Sequence, residues 1–123
     1  MLFVNFTAAN KEYRLRLDTQ NIIALEKLIG CNPLAIFGND GERLPTITEM
    51  VNILYCSLQP LNHGISLKDT FDIFDNYLSD NHSATDFIPV IMEVYKASGI
   101  IKGSEVKATV DGEQLTSGED EKN

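Results

Sequence analysis

The chain has 123 residues, 43% of them hydrophobic, which suits one folded domain with a substantial core and excludes a wholly disordered polymer. Its formal charge is −8 and its isoelectric point about 4.6, with the few Lys and Arg scattered. That argues against a nucleic-acid partner, which needs a basic stripe, and no apolar run reaches membrane length.

The opening "MLFVNFTAANKEY" has neither a basic start nor a long apolar core, so no secretory signal is expected. Residues 2 to 17 alternate. Leu2, Val4 and Phe6 share one side of a strand, and Tyr13, Leu15 and Leu17 do the same beyond a short "AANK" connection. This predicts a β-hairpin with one apolar face, which is marginal in water unless it rests on something else.

The period then changes to that of a helix. Asp18 or Thr19 caps a helix to about Ile29 with Ile22, Leu25, Leu28 and Ile29 as its stripe, and Gly30 stops it. Asn32 followed by Pro33 predicts one short helical turn over "NPLAIF", and "GNDGERLP" is a loop. Thr46 and Glu49 form a capping box for a second long helix whose stripe is Ile47, Met50, Val51, Leu54 and Leu58. Ser66 with Asp69 opens a third helix. A last one runs from about Asp86 to Ser98, with Ile88, Ile91, Met92 and Tyr95 inward and Pro89 tolerated in its first turn.

From Lys102 the composition turns polar. "EVKATV", residues 105–110, reads as a short strand, and a disordered ending is expected. The organisation predicted is a hairpin plus helical domain over 1–101 and a polar, largely flexible tail over 102–123. The fold class predicted is mainly α with a small β part: an N-terminal β-hairpin packed on a bundle of three long helices plus one short helix.

Candidate chemistry is sparse. In "DTFDIFDNYLSDN" the aspartates Asp69, Asp72 and Asp75 stand three apart. At about 100° per residue, Leu67, Phe74 and Leu78 fall within roughly 60° of Phe71, and Ile73 and Tyr77 widen the apolar arc to about 160°. The aspartates take the other side and are expected to face water. A calcium loop would need oxygens at alternate positions and a Gly, and neither is present.

His63 and His82 fall in loops without a partner at ligand spacing, and Cys31 and Cys56 form no C-x-x-C pair. Both thiols are expected to be reduced and at least partly buried. No catalytic, cofactor or metal residues are assigned, and no enzyme activity is expected. Leu34, Ile36, Phe37 and Leu44 are either core or a patch for a partner or a second copy, and they are the candidate partner-binding residues.

The series "YRLRLDTQNIIALEKLIGCNPLAIF", then "LPTITEMVNILYCSLQPLNHGISLKDTFDIFDNYL", then a helix ending "YKASG" resembles the tail assembly chaperones of long-tailed bacteriophages and prophages over about residues 1–101. The resemblance implies a short-form chaperone in the host cytoplasm, absent from the mature virion. It would bind the tape measure protein, keep it soluble, help recruit tail tube subunits, and self-associate as a homo-oligomer. A small acidic regulator that blocks a host protein by mimicking DNA is the alternative reading of the charge.

Overall fold

The computed structural model describes residues 2–102. The short strand expected at 105–110 and the flexible ending lie outside them. Within them the fold is mainly helical, with four α-helices and an N-terminal antiparallel hairpin. The helices are near-equal, at 11, 12, 13 and 11 residues.

Strands β1 (Val4–Ala8) and β2 (Lys11–Leu15) pair with Val4 opposite Leu15 and Ala8 opposite Lys11. The alternation does what the pattern requires: Val4, Phe6, Ala8, Tyr13 and Leu15 are buried on one face. The two-residue turn places Ala9 and Asn10 at φ 52° and 63°. Both central residues of this hairpin turn need positive φ, which suits glycine and asparagine and strains alanine. The turn is held from outside, because the Ala9 N–H donates to Asp80 at 2.6 Å. Replacing Ala9 with glycine keeps that bond and removes the Cβ strain. The expected result is a gain of about 0.5–1 kcal/mol, read as a higher denaturation midpoint.

Helix α1 (Thr19–Ile29) starts on an Asp18 cap that accepts from Asn21 N–H, and stops at Gly30, φ 75°. Asn32 caps a 3-10 turn, Pro33–Phe37. Capping boxes at Thr46/Glu49 and Ser66/Asp69 open α2 (Ile47–Leu58) and α3 (Leu67–Ser79). A box that the sequence reading overlooked, Ser83/Asp86, leads through a short 3-10 turn into α4 (Phe87–Ala97). These caps satisfy backbone N–H groups that helices leave unpaired at their starts.

Helix α2 is the axis of the molecule. It packs against α1, α3, α4 and β2, and buries Met50, Val51, Ile53, Leu54, Cys56, Ser57 and Leu58. An aromatic cluster joins the hairpin to α3 and α4: the Phe87 ring lies 5.7 Å from Phe6, 5.5 Å from Phe74 and 5.9 Å from Tyr77. Tyr77 also stacks face to face on exposed His82 at 4.2 Å. At the other end of α4, Tyr95 is fully buried, donates its hydroxyl to Pro33 C=O at 2.9 Å, and meets Phe37 edge-on.

Two glutamates are buried in opposite electrostatic circumstances. Glu49 is 8% exposed, and both its oxygens take bonds from Arg43 at 3.0 Å. Burial would raise its carboxyl, but the bonds from Arg43 and Thr46 outweigh it and hold it below the usual range. Its stabilising contribution is therefore present above ordinary carboxylate pH and lost as pH falls. Glu93 is 3% exposed, and neither oxygen has a hydrogen-bond partner among the described residues. Lys96 Nζ stands 3.6 Å away. Burial pushes the Glu93 carboxyl up, and Lys96 only partly opposes this. A raised folded value means the stabilising protonated form is kept at low pH and lost as pH rises through that value. Glu93→Gln is expected to gain about 1 kcal/mol at neutral pH, with the gain shrinking as pH falls through the raised Glu93 value and gone below the usual carboxylate range. Thermal midpoints of both proteins across pH would check this.

Candidate functional site

The side chains that the core leaves uncovered define the site. The sequence pattern places Ile47 in the stripe of α2, and Leu67 and Phe71 in the apolar arc of α3, with Phe71 at its edge. Yet Ile47 is 52%, Leu67 39% and Phe71 50% exposed. The core takes the middle and far side of the α3 arc, through Thr70, Ile73, Phe74 and Tyr77, and leaves the edge that borders Asp75 uncovered. Leu28 of α1 is likewise outside, and Ile88 and Met92 of α4 are only half-buried. On α4 the inward residues include Phe87, Val90 and Val94 as well as the expected Ile91 and Tyr95.

Ile47, Leu67 and Phe71 are not scattered. They face one another across an open groove of about 530 Å³ between α2 and α3. One wall is Ile47, Thr48, Val51 and Asn52, and the other is Leu67, Phe71, Phe74 and Asp75. Each wall repeats at helical spacing, so the apolar groups form a stripe along each helix. The polar rim is thin. Asn52 Nδ2 is already engaged with Thr48 C=O at 2.9 Å, which leaves Asp75 as the charged group of the lining.

The three aspartates of α3 all lie outside, as the wheel predicts. Asp69 is occupied by the capping box, where the Ser66 backbone and side chain hold its carboxyl below the usual range. Among the described residues no group of three His, Cys, Asp or Glu is placed to hold a metal ion. Cys56 is buried and its thiol is pushed up to about 11 by burial, while Cys31 is half-buried; both are free. Neither they nor His63 and His82 line the groove. What the site offers is apolar contact area.

The patch of Leu34, Ile36, Phe37 and Leu44 does not survive as one surface. Ile36 is fully buried, which corrects its assignment as a partner-binding residue. The cause is the 3-10 turn: at three residues per turn, Pro33 and Ile36 fall on the same side, and both are buried. Phe37 is half-buried against Tyr95. Leu34 and Leu44 remain outside, at 40% and 65% exposure. Arg43 fastens this segment by donating to Ile36 C=O and to Glu49.

Residues 5–120 match the model of a family of unknown function, DUF6096. The chain belongs to this family. The DUF6096 match begins at the hairpin and runs past the 101 boundary drawn from composition, so it takes in the segment 105–110 as well. No curated protein and no solved structure matches the chain. Among the described residues of this DUF6096 member, no helix is long and apolar enough to cross a membrane.

Proposed function

We propose that the protein is a non-enzymatic tail assembly chaperone of a phage or prophage, and that the groove between α2 and α3 holds an apolar helical stretch of the tape measure protein. The observation that carries this is the placement of Ile47, Leu67 and Phe71 on facing walls of one groove, half-exposed. Helix-in-groove recognition uses such stripes to seat anchors spaced one turn apart. About 1 kcal/mol of burial per large side chain is still available there.

The net charge of −8 supports the same reading, because it would keep a complex with a greasy client in solution. A chaperone that binds the exposed client lowers its free concentration, and with it aggregation. In this reading the protein works in the cytoplasm of the infected or lysogenic host, helps recruit tail tube subunits, self-associates, and leaves before the virion is complete. No observation favours the DNA-mimic alternative. Asp18, Asp69 and Asp86 are engaged in helix caps and Asp80 in holding the hairpin turn, so fewer carboxylates stand free for the phosphate-like array which that alternative needs.

Co-expression with the tape measure protein tests the proposal. The expected result is a soluble complex that co-purifies at defined mass. Equal insolubility of the tape measure protein with and without this chain would overturn it.

A further inference from the structure

Among the described residues that line the groove, Asp75 alone is charged, and it sits at one end. Along the α3 wall the order is Leu67, Phe71, Phe74, Asp75, so a run of apolar side chains is followed by a carboxylate. Asp75 comes four residues after Phe71 and eight after Leu67, about 6 Å and 12 Å along the helix axis. The facing α2 wall carries no charged side chain.

The Asp75 carboxylate has no cation of its own among the described residues. The ion pairs there are Arg43 with Glu49 and Lys96 with Glu93. Asp75 is exposed, so water solvates it. Lys68 stands seven residues earlier in α3, about 10 Å along the axis, and forms no ion pair with it. Asp72, exposed on the same flank, adds negative charge and not a partner.

A helix that covers Ile47, Leu67 and Phe71 takes water away from Asp75 as well. An unpaired carboxylate resists that removal, and a cation brought alongside offsets it. An acidic residue of the occupant at the same place would meet Asp75 as a like charge. We infer that the groove selects a helix of definite chemistry: an apolar stripe with a Lys or Arg about one turn beyond its last anchor, which pairs with Asp75. Because the Leu67 end of the groove carries no charge, the same pair fixes the direction in which the stripe lies. This rests on the reading of the groove as a helix-binding site and adds what that helix must carry.

Three synthetic helical peptides test it. Each has leucine at i, i+4 and i+7, and Lys, Gln or Glu at both i−4 and i+11, so that either direction presents the residue to Asp75. Calorimetric titration into the full chain at about 0.15 M salt screens charges more than about 8 Å apart, which limits the general pull of the net charge of −8. The expected order of affinity is Lys, Gln, Glu, with roughly tenfold between the Lys and Glu peptides. Asp75→Asn keeps the shape and removes the charge, and should narrow that ratio to about threefold or less. Glu12→Gln removes one exposed charge from the hairpin, away from the groove lining, and should leave the ratio as it was.

Equal affinity for the three peptides would overturn the inference while leaving the groove as an apolar site without charge preference. Equal narrowing by Asp75→Asn and Glu12→Gln would overturn it too, since net charge would then do the selecting. Binding of none of the peptides would remove the groove as a helix site, and the inference with it. Peptide binding that weakens as protein concentration rises, with Phe71→Gln turning the chain monomeric in light scattering, would assign the groove to a second copy instead.

Discussion

Replacing Phe71 with glutamine is expected to weaken binding of an apolar tape measure helix by roughly thirty-fold, about 2 kcal/mol, with little change in the thermal midpoint. The two effects separate because Phe71 is half in water already. Glutamine keeps a straight side chain with good helix propensity, so α3 loses little. An incoming helix, by contrast, loses an aromatic anchor in the middle of the groove wall, between Leu67 and Phe74. Ile47→Gln on the facing wall should act in the same direction and less strongly. Leu44→Gln is the control, since Leu44 is the most exposed large apolar residue described and does not line the groove. Titration of each variant with a tape measure fragment reads the difference. Full binding by Phe71→Gln with loss in Leu44→Gln would move the contact surface to the loop before α2.

Truncating Phe87 to alanine is expected to cost about 3–5 kcal/mol, a large share of the 5–15 kcal/mol typical of a domain this size. Phe87 is 1% exposed and touches rings from β1 and α3 at once, so its loss opens a cavity where three elements meet. The neighbours that would have to collapse into that space are themselves rings, which relax poorly. A fall in thermal midpoint of more than about 15 °C is expected, and Phe87→Leu should recover much of it. A small loss in Phe87→Ala would mean that the aromatic cluster is not the joint between hairpin and bundle.

The two variants sit on opposite sides of a distinction that the apolar pattern does not make. The pattern puts Phe71 in an apolar arc and leaves Phe87 out of the stripe expected for the last helix, yet Phe71 is half-exposed and Phe87 is buried. Glu93 poses the reverse problem: within "FIPVIMEVYKA" a single carboxylate reads as the wet side of an amphipathic helix, yet it lies 3% exposed beneath Lys96. In each case the outcome turned on how far neighbouring elements reached around the helix, which is information from residues far away in the chain. Ile36 and Leu34 parted for a more local reason. A 3-10 turn rotates side chains by a third of a circle per residue, and the sequence reading grouped them without that geometry.

Sequence by itself determined the elements of this protein: the hairpin from its alternation, and the helix starts at Asp18, Asn32, Thr46 and Ser66 from capping groups. Those interactions close within four residues, so no distant partner is needed to predict them. Only the tertiary structure decided which part of each apolar arc was covered. The arcs of α2 and α3 are wider than their packing partners can hide, because helix pairs meet along a strip and not around the whole apolar face. What was left over, Ile47 facing Leu67 and Phe71, became the groove.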